Sequence, residues 1–321
     1  MNPGLLLALV AAAVVQAPTP QDRDPDLARR LYLSALDLQA EFEYDSARVL
    51  MRQALAADPT DLAAHDQFIW LTREFLPDGV AEIRRAYDSM PDSPQVECLR
   101  ARLAVAHDDE ASAAPALFAL QERYPEEACP VVALARIIRL LRPEHEWKSR
   151  ELEYLERAVE LAPSLPYDRM AYAAALAESG RFDEADRAYS AGAVDLLHPM
   201  QSGPLLMRRA ALLARRGDPE GSEALRRAVE EAVERDGRPG VRFMYLRELS
   251  AFTTVTATTL GSMDALLRAQ AELARHHEAG NWEWQVRYTL GTRLTNRGET
   301  VAAIEELDRA VEVADRTGVP H

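Results

Sequence analysis

The chain has 321 residues, 48% of them hydrophobic, 28% charged and 7% aromatic, a balance that supplies an ample core and excludes a membrane-embedded protein. Its formal charge is −15 with the two signs interleaved, so the summed field repels phosphate and nucleic acid is not an expected partner. Lys148 is the single lysine, which removes lysine-based catalysis almost everywhere and leaves arginine as the planar, bidentate cation.

The first element in chain order is the uninterrupted apolar run Leu5 to Val15, followed by Gln16, Ala17 and a polar, proline-containing stretch to Asp26. As a helix this run spans about 16 Å, well short of the roughly 30 Å bilayer core, so its shape is that of a signal peptide rather than a membrane span. Residues 1–17 are expected to be a signal peptide or hydrophobic leader and 18–26 a polar linker. No Lys or Arg precedes the run and Pro18 follows the best cleavage point, so an uncleaved leader that associates the protein with a membrane complex is the alternative. No cysteine follows the run, which removes a lipoprotein anchor.

Helix pairs come next. Ala47, Met51, Ala54 and Pro59 mark one second helix and its stop; Gly79, Ile83, Ala86 and Pro91 mark another; Ala113, Leu117, Leu120 and Pro125 a third; Leu155, Ala158 and Pro163 a fourth. These prolines cannot continue a helix, so their near-regular spacing counts units. The clearest unit runs from Asp168 to Leu197: an Ala-rich helix with Tyr172 and Leu176, then Gly180 suited to a left-handed turn, then Asp183 and Glu184 opposing the dipole of a helix that carries Ala185 and Tyr189. A sixth unit follows from Leu205 through Gly217 to Val229, with Ala210, Ala224 and Ala228 as its small residues. The region from Phe243 to Gly280 is a divergent seventh, with threonines from Thr253 to Thr259 crowding the end of its first helix and a second helix from Met263 to Glu278. The last unit repeats the grammar with Leu290, Gly291 and Leu294, the turn at Gly298, then Ala303, Leu307 and Ala310.

Small residues at these offsets let two helices cross closely, and together they resemble the tetratricopeptide repeat. The resemblance covers residues 27–316, leaves 317–321 as a tail, and implies an all-α superhelix: a solenoid of about eight helix-turn-helix units in which each pair buries its apolar faces against its neighbours. The extended superhelix so formed would expose a long concave surface. In that family the groove is lined from the first helix of each unit. Carried over to this sequence, the lining is Tyr32, Leu36, Gln39, Phe68, Cys98, Arg102, Tyr167, Met170, Met207, Arg215, Gln285, Tyr288, Thr292 and Asn296. Tyr32, Arg102, Arg215, Tyr288 and Asn296 are the strongest contact candidates, since Leu36, Phe68 and Met170 serve a core equally well. A clamp for chaperone C-terminal carboxylates needs lysines on successive first helices, and this chain has only Lys148 in a loop-like position.

Cys98 and Cys129 are the only cysteines, which excludes a disulfide-stapled mini-protein and a four-cysteine metal site. Both fall near the starts of consecutive first helices, about a turn out of step. In an exported chain they are free to pair, so a bridge and two buried thiols both remain open. The histidines are scattered, with exposed or helix-end positions as the default, and no ligand spacing for a metal is present. No nucleophile elbow, phosphate loop or dinucleotide fingerprint occurs, and no cofactor is implied. His145, Glu146 and Trp147 sit in a lengthened turn of the fourth unit. The expected function is therefore a non-enzymatic, exported scaffold that binds protein or peptide in a bacterial envelope complex, in the periplasm or secreted. The alternative is a cytoplasmic regulatory module sensing a peptide or small ligand in its groove.

Overall fold

The computed structural model describes residues 23–75, 79–90, 92–104, 113–140, 146–195, 198–255 and 260–318. The apolar leader, Pro91, His107, His145, Thr256 to Thr259 and the last three residues lie outside this set. Among the described residues the chain forms sixteen α-helices and no strand. They follow one another as eight pairs: α1 (Pro25–Ala40) and α2 (Tyr44–Ala57), α3 (Leu62–Phe75) and α4 (Gly79–Asp88), α5 (Pro94–Ala104) and α6 (Ala114–Arg123), α7 (Ala128–Leu140) and α8 (Glu151–Leu161). Then come α9 (Pro166–Glu178) and α10 (Phe182–Asp195), α11 (Pro199–Arg215) and α12 (Pro219–Asp236), α13 (Pro239–Val255) and α14 (Leu260–His276), α15 (Gly280–Asn296) and α16 (Thr300–Thr317). The lengthened turn of the fourth unit is a 3₁₀ segment, Glu146–Arg150, in which Lys148 ion-pairs with Glu151 at 2.6 Å and Trp147 meets Phe118 edge-on at 5.1 Å.

The turns repeat because the same backbone solution closes each pair. Gly180, Gly217 and Gly298 adopt φ of 80°, 86° and 78°, and the next residue's N–H reaches back to the carbonyl five before it: Arg181 to Leu176, Asp218 to Leu213, Glu299 to Leu294. A residue without Cβ makes this left-handed step at no steric cost. The first unit makes the same turn with Phe42 at φ 64°, closed by Glu43 N–H to Leu38 C=O at 2.8 Å. For a bulky L-residue that conformation costs about 1–2 kcal/mol, so something else holds Phe42 there. The starts of first helices repeat a second device. The carbonyl of Pro59 accepts from His65 Nε2 at 2.8 Å, and that of Pro163 accepts from the Arg169 guanidinium, each six residues on.

What the repeat pattern does not show is closure. The first helices form an inner layer, α5 against α7, α7 against α9, α9 against α11 and α11 against α13, and then α13 meets α1. Gly240 in the first turn of α13 lies against the carbonyl oxygens of Gln39 and Ala40, where an added Cβ would come within 2.8 Å of both. Polar contacts fasten the seam. Gln201 donates to the Tyr32 hydroxyl; Asp37 accepts from His198 Nε2 at 3.2 Å and from Arg238; Trp282 Nε1 donates to the Tyr44 hydroxyl at 2.5 Å. Phe42 sits 6.1 Å from Phe243 and 5.7 Å from His277, which accounts for its strained backbone. The array is thus the expected all-α solenoid of eight helix pairs, wound so that its seventh first helix closes a ring against its first and the long open groove that the repeat count implies is not left between them.

Of two buried histidines, His65 departs from the expected exposed or helix-end placement and His198 keeps a helix-end one. His65 is fully buried, its Nδ1 accepting from the Tyr87 hydroxyl at 2.8 Å, and His198 is 6% exposed, its Nδ1 capping α11 through the Met200 N–H. Cys98 and Cys129 form a disulfide between α5 and α7, with Cα atoms 6.2 Å apart. Among the described residues no helix is long and apolar enough to cross a membrane.

Candidate functional site: a chamber inside the ring and an open end

Closing the ring converts the inner face into a chamber of about 480 Å³. Every unit from the first to the seventh contributes a first helix to its wall: Tyr32, Leu36 and Gln39 from α1; Asp66, Trp70 and Arg73 from α3; Arg102 from α5; Arg136 and Leu140 from α7; Tyr167 and Met170 from α9; Met200 and Gln201 from α11; Met244 and Arg247 from α13. Leu140 and Tyr167 are 64% and 48% exposed and form its rim.

The wall is mostly apolar, so its few charges decide what it accepts. Arg136 is clasped by two carboxylates, through its Nε and Nη2 by Asp168 and through both terminal nitrogens by Asp66, while its guanidinium lies 5.3 Å from the centre of the Tyr167 ring. Burial pushes both carboxyls up. For Asp66 the Arg136 guanidinium outweighs burial and its pKa is lowered; for Asp168, fully buried, burial wins and its pKa is raised. Burial lowers the pKa of Arg136 but the two carboxylates override it, so this side chain stays charged. Arg102 adds a contact to Asp66 at 3.6 Å. Two further cations stand apart. Arg73 has no hydrogen bond or ion pair among the described residues. Arg247 touches Glu248 at 3.7 Å, a carboxylate that Arg208 also claims at 3.2 Å. Its guanidinium stands 6.0 Å from the ring of Trp282, which neighbours Trp70 at 5.9 Å. Arg73 and Arg247 thus line the chamber as exposed cations on its solvent-facing side.

The groove residues carried over from the repeat separate into three places. Arg102, Leu36, Gln39, Tyr167 and Met170 come together in the chamber. Tyr32 joins them only as wall: it is 1% exposed and bonded to Gln201, so it fastens the ring rather than offering a free contact. Phe68 and Met207 are core at 1% exposed, and Cys98 is in the disulfide. Arg215 lies outside, beside a smaller cleft of about 220 Å³ with Arg139, Glu178, Arg208 and Glu248. Gln285, Tyr288, Thr292 and Asn296 lie on α15, exposed and away from the chamber, with Tyr288 stacked on Trp284 at 5.7 Å.

Sequence reasoning missed Asp66, Trp70, Arg73 and Arg247. A signal for the first two existed. Tyr167 and Met170 lie four and seven residues after Pro163, and the same count from Pro59 gives Ala63 and Asp66, with Trp70 one turn further. Arg247 belongs to the divergent seventh unit, where no repeat register was available.

The eighth unit differs from the interior units on the face of its second helix. Gly298 and Ala303 stand in it as Gly180 and Ala185 stand in the fifth, so Ile304 occupies the place of Asp186 and Val311 that of Ala193. Asp186 reaches the next unit's first helix through Arg209 at 2.7 Å, and Ala193 packs in a cluster with Leu205 and Leu212 of that helix. In the eighth unit the equivalent side chains are exposed, Ile304 at 53%, Val311 at 47% and neighbouring Val301 at 74%.

Among the described residues no group of three or more His, Cys, Asp or Glu side chains could hold a metal ion. No known family model matches the chain and no curated protein is similar to it. Among solved structures, YrrB, described as a TPR protein with an unusual peptide-binding site, is 18% identical over 62% of this chain and 93% of its own, with a TM-score of 0.30. Human IFIT1, as a dimer with PPP-AAAA, is 15% identical over 92% of this chain and 73% of its own, with a TM-score of 0.44. Cut9 in the APC/C hetero-tetramer Cut9–Hcn1 is 14% identical over 97% of this chain and 72% of its own, with a TM-score of 0.35.

Proposed function

We propose that this protein is an exported interaction scaffold of a bacterial envelope complex, and that its partner seats a helix on the exposed apolar face of the eighth unit. The observation that carries this is that face itself: Val301, Ile304 and Val311 are exposed at or beside positions that an interior unit covers with the next first helix. A partner helix placed there continues stacking that the chain already uses seven times, and Tyr288 on Trp284 supplies an exposed aromatic contact on the same unit. Export is supported by the apolar run Leu5 to Val15 and by the Cys98–Cys129 bridge, since such bridges persist in oxidising compartments. The role we propose is binding.

The experiment is photocrosslinking in the native host from a probe placed at Ile304, with a control probe at the exposed Arg227 on α12. One discrete adduct from Ile304, absent from Arg227 and abolished by Val311→Glu without a change in melting, supports the scaffold. The same adducts from both positions would sink it. The bait's mass, read from the same material, tests export: an intact Met1 in soluble cytosol speaks for a cytoplasmic module instead.

A further inference from the structure

The chamber has a chemistry that partner binding on the eighth unit does not use. Its volume of about 480 Å³ falls within the roughly 300–1,000 Å³ typical of small-molecule sites. An α-helix about 10 Å across would fill it in little more than one turn, so a helix is a poor occupant. An extended peptide is poorly served too, because every residue brings an N–H and a C=O that need partners when buried. No asparagine, serine or threonine lines the wall among the described residues, and the side-chain amides of Gln67 and Gln201 are already spent on Gln39 and Tyr32.

What the wall does offer is apolar surface around a few donors. Arg73 is without a partner among the described residues, and Arg247 has only part of a carboxylate that Arg208 shares. The Arg247 side chain is 43% exposed, so its guanidinium faces solvent where it lines the chamber. Gln39, 1% exposed, leaves its Nε2 with no acceptor, a buried donor without a partner in the same wall. Trp70 lines the same wall as these groups.

We propose that the chamber binds a small amphipathic organic anion, its apolar or aromatic body against Trp70, Met200 and Met244 and its anionic head between Arg73 and Arg247. The head completes two charge-assisted contacts, and the body has few polar groups to leave unsatisfied.

The test titrates the purified full chain with 2-naphthoate and with 4-phenylbutyrate, each against its neutral amide, following tryptophan fluorescence. We expect saturable one-site binding of both carboxylates and affinities about tenfold weaker for the amides. Arg73→Gln and Arg247→Gln should each bring the carboxylate down toward the amide. Arg73→Gln should melt like the parent, because no contact among the described residues is lost. Equal binding of acid and amide, carboxylate binding that survives both substitutions, or no saturation at millimolar concentration would each overturn the proposal. So would displacement of 2-naphthoate by an acidic decapeptide of much higher affinity, which would assign the chamber to peptide.

Discussion

At the scale of single residues, the buried charges carry most of the consequence. Arg136 neutralises Asp66 and Asp168 together, and Asp168 is wholly out of water. Arg136→Met removes the cation and leaves both carboxylates in a low-dielectric wall, so unfolding in urea should show a loss of about 3–5 kcal/mol. His65 and His198 set a pH dependence of their own. Burial lowers the pKa of each below the ordinary value of 6.5, against the opposing bonds to Pro59 and to Asp37 respectively. The unfolded chain therefore takes up these protons first as pH falls. Their stabilising contribution is complete above the unfolded value and is lost as pH drops below it toward the folded one. Melting temperature should fall as pH is lowered from about 7.5 to about 5.5, and His65→Gln should start lower and fall less. A melting temperature that rises over that interval would contradict the buried, neutral state of both rings.

At the scale of elements, each helix pair is legible because its physics is local. Ala47, Met51 and Ala54 recur at helical spacing, and a turn glycine at 180, 217 or 298 needs only its own φ to be recognised. The Cys98–Cys129 bridge ties the first helices α5 and α7 across a separation of 31 residues. A loop of that length is worth about 3–4 kcal/mol in the unfolded chain, so reduction, or paired Cys98→Ala and Cys129→Ala, should lower the urea midpoint accordingly. Identical midpoints with and without reductant would show the two sulfurs unpaired in solution. The groove residues were legible only as positions on a first helix. Which of them would face a chamber, a core or solvent depended on neighbours as far as five units away, so Tyr32 reads as a contact in sequence and is a fastener in the fold.

At the scale of the whole molecule, the ring depends on one hairpin. Phe42 occupies the turn position where three other units have glycine, at φ 64°, and its ring is seated by Phe243 and His277. Phe42→Gly should relieve the backbone of about 1–2 kcal/mol while removing that seat. The expected result is an intact α1–α2 pair in an opened array, seen as an increased radius of gyration in small-angle scattering with unchanged helicity. An unchanged radius would mean that Gly240, Asp37 and Trp282 hold the seam without it.

The sequence by itself determined the sixteen helices' pairing, their turns and the all-α solenoid class, because those follow from apolar spacing, left-handed turn residues and proline stops within some thirty residues. Only the tertiary structure decided that α13 returns to α1, that the inner face becomes a chamber lined by Arg73 and Arg247, and that Ile304 and Val311 are exposed. Closure is the sum of small rotations between successive units. No single unit encodes that sum, and the contacts that fasten it, such as Trp282 to Tyr44 across 238 residues, leave no periodic trace in the chain.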